Sequence, residues 1–422
     1  MPQAVCAPLL PGLSPPRSRR LANGARVVSL AMEDAPLVCL DFWCRAGSVW
    51  ERPEESGLAH FLEHMVFKGS ERLAAGAFDL RIEALGGSSN AATGFDDVHF
   101  HVLIPPEAAA EGLELLLDLV LAPALDPEAF AMERQVVLEE LAQSEDQPDE
   151  VAVQTLLSRA CPSHPYGLPI LGLKERLLAH TPAAMAAFHR RRYTAEHCVL
   201  ALSGALATAD LDGVLERCAL AALPSGPADP VLPPLHLVPG VHRLTLPRLE
   251  SARLLMVWPL PPGDDQRAVM GADLLTTLLA EGRRSRLVER LREQLRLVES
   301  IDLDLHVMEC GSLALLEAVC EPEELEPVQE AIARVWQEAG AAPLAEAEWQ
   351  RCRRLVANGY RFGLESPGGV AGLIGSNGLW GRDQPLQHPL ELLESWSAGE
   401  LQQLALPLLD PSRACVVQAV PA

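Results

Sequence analysis

The stretch from Leu58 to Ser70 holds His60, Glu63 and His64 in the pattern H-x-x-E-H. On a helix, positions i and i+4 share a face and i+3 lies beside them, so two imidazoles can grip one metal ion while a carboxylate points at the same spot. That is a donor set for zinc-assisted hydrolysis, with the order of the commoner H-E-x-x-H reversed. A chain of 422 residues with 12 His and 57 Asp and Glu shows His-x-x-acid-His by chance about 0.05 times. The pattern therefore outweighs the plain alternative of two histidines packed or solvated on an amphipathic helix.

A hydrolytic zinc site needs a third protein ligand from elsewhere and one position open to water. Residues Ala131 to Gln143 read as a helix, with Val136, Val137 and Leu141 on an apolar side and Glu133, Glu139 and Glu140 along it. Glu133 and Glu140 are almost two turns apart and share a face, whereas Glu139 is rotated from Glu140 by about 100°. One face can thus offer two acids to the metal helix; a solvated acidic stripe is the bland alternative.

These segments resemble the pitrilysin/insulinase family of inverted zincin peptidases, and within it the short-chain branch that includes the mitochondrial processing peptidase subunits. In that family H-x-x-E-H is followed by E-x6-E, whose last Glu is the third ligand. Here Glu140 lies 76 residues after His64, and Glu133 matches the first acid of the pair. The resemblance thus implies zinc, one Zn2+ per chain, held by His60, His64 and Glu140 rather than Glu139. Glu133 would orient a histidine or the nucleophile. Zinc-bound water would have its pKa lowered toward about 7, and Glu63 would take its proton and return it to the leaving amine.

Further stretches extend the resemblance. Gly86 to Thr93 resembles the family's substrate-binding edge strand, which points to Asn90 and Ala91 as contacts for an extended peptide. His164 to Gly172 resembles its H-P-Y-G-x-P-x-x-G signature, and Ser285 to Glu293 a stretch of its second domain. Family members often carry an Arg and a Tyr seven residues apart there, holding the peptide backbone; Arg292 matches the Arg, but Glu299 stands where the Tyr should be. The implied activity is that of a zinc-dependent endopeptidase acting on peptides or short extended segments. The alternative is a catalytically silent or weakly active assembly subunit of the same fold. His99 and His101 face one side of a strand and His164 precedes Pro165, but none has the spacing of His60, and packing or hydrogen bonding is the expected role.

The formal net charge of −23 argues against nucleic acid as a partner, because phosphate binding needs a basic surface. No run of 18 apolar residues exists, so no membrane span is expected. The first twenty residues contain five prolines and an Arg17, Arg19, Arg20 cluster without the marks of a secretory signal. They read as a disordered lead-in, residues 1–20, to a cytoplasmic protein. The 10 cysteines are scattered through apolar segments without a C-x-x-C, as expected of small buried hydrophobes in a reducing compartment. Trp43, Trp50, Trp258 and Trp349 form no repeat and are expected in the core.

Residues 223–240, with six prolines, form a composition break that reads as a linker between 21–222, the zinc-bearing domain, and 241–422, a homologous domain. Asn23-Gly24 signals a hairpin ahead of strand-like runs at Arg26 to Ala31 and Pro36 to Arg45, and His242 to Leu246 and Ala252 to Trp258 open the second half likewise. Strands at His99 to Ile104 and Ala314 to Cys320 each end in an acid-proline helix start, an internal offset of 213 to 216 residues. Carrying His60, Glu63 and His64 across that offset lands on Asp273, Thr276 and Thr277, or on Thr276, Leu279 and Ala280, so the second half has no metal site. The fold class is α+β: two homologous domains, each a mainly antiparallel sheet with helices packed on one side, in the clam-like arrangement the resemblance implies. Short members of the family must pair to enclose a peptide. A dimer is therefore expected, as a heterodimer with a metal-free homologue supplying the Arg and Tyr, with a homodimer as the alternative.

Overall fold

The computed structural model describes residues 15–208 and 211–422. In the first half strands form at β1 (Arg17–Arg20), β2 (Arg26–Ala31), β3 (Val38–Cys44), β4 (Ser88–Thr93), β5 (Val98–Ile104) and β6 (Cys198–Gly204). They make one sheet in the order β1-β2-β6-β3-β5-β4. The second sheet runs β7-β11-β8-β10-β9, built from β7 (Gly240–Leu246), β8 (Ala252–Leu260), β9 (Ser300–His306), β10 (Ser312–Cys320) and β11 (Cys415–Pro421). The order β2-β6-β3-β5-β4 recurs strand for strand as β7-β11-β8-β10-β9, which is the duplication expected from the sequence. Each sheet is antiparallel except at one pair, β2 with β6 and β7 with β11. There the last strand of the half, β6 or β11, inserts beside β2 or β7 and runs parallel to it.

Arg17–Arg20 belong to this sheet and not to a disordered lead-in, since they pair antiparallel with Arg26–Ser29 of β2. The Asn23-Gly24 turn makes that pairing local: Gly24 takes φ +91°, and the Leu21 amide donates to Ala25 O at 2.8 Å. The earlier part of the lead-in, residues 1–14, lies outside the described residues.

Strand period decides which face is core. In β5, Val98, Phe100, Val102 and Ile104 are buried, while His99, His101 and Leu103 turn to the other face. Against the apolar face pack α1 (Leu58–Val66), α2 (Ala77–Ala84), α3 (Ala109–Leu121) and α4 (Pro127–Asp146), sharing one core with Leu40 and Phe42. One helix, Pro367–Leu379, lies on the opposite face. It comes this close because it is rich in small residues: a Cβ on Gly375 would fall 2.4 Å from Trp43 Nε1.

The chain forms two compact units that do not follow a single cut at the proline-rich segment. The first comprises residues up to Leu141, Pro169–Pro230 and Arg361–Gln387; the second Ala142–Leu168, Val231–Tyr360 and His388–Ala422. The departure has a packing cause. The Pro367–Leu379 helix covers the first sheet, and α5 (Pro148–Ala160) packs on β8 and β11 of the second. Residues 223–239 carry neither helix nor strand, yet Asp229 is anchored in the first unit by Arg192 at 2.6 Å, Arg45 at 3.1 Å and His197 at 3.0 Å. Against the cost of burial, the bonds from His197 and Arg192 hold its carboxyl well below the usual carboxylate range.

All four tryptophans assigned to the core are buried. Nine cysteines are free, all buried except the partly exposed Cys310, among the described residues. No helix among the described residues is long and apolar enough to cross a membrane.

Buried His189 gives the fold a pH dependence. Its Nε2 donates to Val120 O at 2.9 Å, and burial pushes its pKa from 6.5 down to about 4. The unfolded chain therefore takes up this proton first. The stability that neutral His189 contributes is present above pH 6.5 and is lost as pH falls toward 4, by up to about 3 kcal/mol. His189→Gln keeps a donor for Val120 O and cannot titrate. Its urea midpoint should drop less between pH 7.5 and 4.5 than that of the wild type; an unchanged acid slope would rule the assignment out.

Candidate metal centre

Helix α1 begins at Gly57, whose φ of +83° and lack of side chain are both required: a Cβ there would lie 2.6 Å from Leu171 O and 2.8 Å from Gly172 Cα. The end of the His164 to Gly172 stretch is thus built around the start of the metal helix. Gly57 supplies no side-chain cap, and Glu51 fills that role. Its Oε1 accepts from the Ala59 amide at 2.7 Å and its Oε2 from the Gly57 amide at 3.0 Å, satisfying first-turn donors, while burial pushes the pKa of its carboxyl up to about 8.

From this helix His60 and His64 face Glu140 of α4. His60 Nε2 lies 3.6 Å from Glu140 Oε1 and His64 Nε2 3.3 Å from Glu140 Oε2. One ligand atom from each of the three residues falls within 4.8 Å of the others. Burial, with the neighbouring His64 adding to it, lowers the pKa of His60 to about 4, so its ring is neutral at pH 7, as a metal ligand must be.

Glu133, one face with Glu140, is buried and bridges two partners: Oε1 to His64 Nδ1 at 2.9 Å and Oε2 to Lys68 Nζ at 2.7 Å. A carboxylate only accepts, so His64 Nδ1 donates to Glu133, which leaves Nε2 on the side of the Glu140 carboxylate. One nitrogen or oxygen from each of the three residues faces a common point, an arrangement of Lewis bases that a divalent cation satisfies. The residues present therefore fit a zinc ion. Glu63 accepts a hydrogen bond from the Thr93 hydroxyl of β4, and burial raises its carboxyl above the ordinary range.

The helical face separates the acids as expected: Glu139 is exposed. It also separates the valines. Val137 and Leu141 are buried, but Val136 is 46% exposed and is not on the apolar side, because adjacent helical residues point about 100° apart. Three residues around the site went unnoticed in the sequence. Lys68 lies at the end of the thirteen-residue stretch and Thr93 at the end of the edge strand. Glu51 had only one signal, an acid just ahead of an uncapped Gly-started helix.

Strand β4 is the outer edge of its sheet. Asn90 on it is exposed, and its Oδ1 accepts from the Ala91 amide at 2.9 Å. Arg292 lies in the second unit, where it forks onto Glu293 Oε1 at 2.8 and 3.1 Å. Glu299, in the same unit, accepts from the Ser251 hydroxyl at 3.2 Å. Among the described residues, both clusters able to hold a metal fall in the first unit.

A duplicated α+β chain with two imidazoles and a carboxylate converging beside a buried Glu has the kind of site that zinc hydrolases use. Known proteins agree. The Insulinase (Peptidase family M16) model matches residues 26–174, and the Peptidase M16 inactive domain model matches residues 180–356. An uncharacterized zinc protease of Mycobacterium tuberculosis is 27% identical over 399 residues, covering 94% of this chain and 91% of that protein. A probable mitochondrial-processing peptidase subunit beta of Arabidopsis thaliana is 33% identical over 196 residues, 46% of this chain and 37% of that protein. In fold, a protease from Helicobacter pylori superposes with a TM-score of 0.89 at 22% identity, over 97% of this chain and 100% of that one. The chain belongs to the insulinase family of M16 peptidases.

Proposed function

We propose that the chain is a zinc-dependent endopeptidase that hydrolyses peptides or short extended segments. The observation that carries this reading is the convergence of His60, His64 and Glu140, with Glu63 on the same helix. When bound, zinc supplies Lewis acidity, polarising a scissile carbonyl and bringing the pKa of a water toward about 7. Glu63 takes the proton of the attacking water and delivers it to the departing amine nitrogen as the C–N bond breaks. Glu133, itself held by Lys68, fixes the ring of His64. A peptide adding to the β4 edge would pair with its main chain, and the Asn90 side chain must swing off the Ala91 amide to free that donor. Only Glu299, in place of a Tyr, favours a silent assembly role. Chelator-treated protein should lose peptide cleavage and regain it with added Zn2+; absence of cleavage at full zinc loading would favour the silent reading.

The active form is a dimer in this reading, with a metal-free homologue supplying the Arg and Tyr that Arg292 and Glu299 do not complete. Adding such a homologue from the same source should raise peptide turnover, whereas full activity of the pure chain, unchanged by the addition, would leave the homodimer. The free cysteines among the described residues suit a cytoplasmic, reducing compartment.

A further inference from the structure

Strands β3 and β5 bring together a second set of metal-ligand side chains on the face of the first sheet that turns away from its helical core. His99 and His101, two apart on β5, point to the same face. Asp41 of β3 stands directly opposite His101 and Trp43 opposite His99. Asp41 Oδ1 lies 3.0 Å from His99 Nδ1, and one ligand atom each of Asp41, His99 and His101 falls within 4.8 Å of the others.

Three features make this more than a chance grouping. Asp41 is 2% exposed in mid-strand, a setting in which a carboxylate must be paired, as it is with His99, or coordinate a cation. The ring of His101 makes no hydrogen bond among the described residues, leaving a ring nitrogen free to coordinate. The rings are also held in place: His99 stacks on Trp43 at 4.3 Å between centroids and on His101 at 5.6 Å. On the far side of β5, the exposed Asn90 and Ala92 of β4 pair with His101 and His99. Their short side chains leave the two rings open to an arriving ion.

We propose that Asp41, His99 and His101 form a second divalent-metal site, suited by its two imidazoles and one carboxylate to Zn2+ and independent of the His60, His64 and Glu140 set. Binding would displace the proton shared by His99 and Asp41, as deprotonated ligands require. Placed on the rigid middle of a sheet, the ligands need little rearrangement. The expected packing role of the two histidines becomes a binding role. The proposal stands whether or not the chain is a peptidase.

The test uses the full chain stripped with chelator and dialysed against Zn2+ alone, with metal analysis of protein and buffer. The wild type should saturate at about two zinc ions per chain. His101→Gln and Asp41→Asn should each saturate at about one, keeping the tighter site, and Glu140→Gln should keep only the weaker one. Saturation of the wild type at one ion, or retention of the second by folded His101→Gln, would overturn the proposal. Histidine footprinting of the wild type with diethyl pyrocarbonate needs no variant. His99 and His101 should become protected as the second equivalent of Zn2+ is added, and modification that ignores the second equivalent would likewise overturn the site.

Discussion

Glu140→Gln should weaken zinc binding at the His60 and His64 site by more than about 100-fold, while Glu139→Gln should leave it nearly unchanged. The contrast follows from the helix. Glu140 carries oxygens 3.6 Å from His60 Nε2 and 3.3 Å from His64 Nε2, whereas its neighbour Glu139 is exposed. The change at Glu140 keeps the side-chain volume but replaces an anionic ligand with a neutral amide. Glu133→Gln should behave differently again. It loses the charge that bridges Lys68 and His64, so turnover should fall by about 10–100-fold with a smaller loss of metal. Zinc retention is read by dialysis at low free zinc, where the second cluster is not filled. Equal losses from the Glu139 and Glu140 substitutions would end the helical-face assignment.

Much of this geometry was legible because local periodicity carries it. H-x-x-E-H fixes three side chains on one turn of helix, and Glu133 and Glu140 share a face whatever surrounds them. Six strands were legible for the same reason, β2, β3 and β5 with their counterparts β7, β8 and β10, whereas β6, β9, β11 and the order of the strands in each sheet were not. What the sequence hid was non-local. The Pro367–Leu379 helix lies late in the chain yet covers the first sheet, and nothing in its composition names that surface. Arg17–Arg20 look like a basic lead-in because the residues that make them a strand are those of β2.

The site was less complete in the sequence than the fold. Glu51 caps α1 from outside the helix, and only the chain path shows that it does so in place of Gly57. Thr93 meets Glu63 because β4 ends beside α1. Asp41 and His101 are far apart in the chain and become neighbours only through the β3 to β5 register. The H-x-H spacing on β5 was visible, but the carboxylate that gives it meaning was not.

The catalytic assignment as a whole turns on Glu63, and the deciding measurement is kcat/KM for Glu63→Gln on a peptide substrate at a zinc content matched to the wild type. The introduced amide is close in size to the carboxylate and can still meet the Thr93 hydroxyl, so fold and metal should persist, but it cannot accept a proton from water. The expected loss is about 10²–10⁴-fold. The wild-type rate should also rise with pH through a carboxyl pKa above the ordinary range, since burial raises that of Glu63 and only the ionised form is a base; that limb should vanish in the variant. A metal-loaded Glu63→Gln enzyme that cleaved peptide at close to the wild-type rate would contradict the assignment of base, helix and zinc site together.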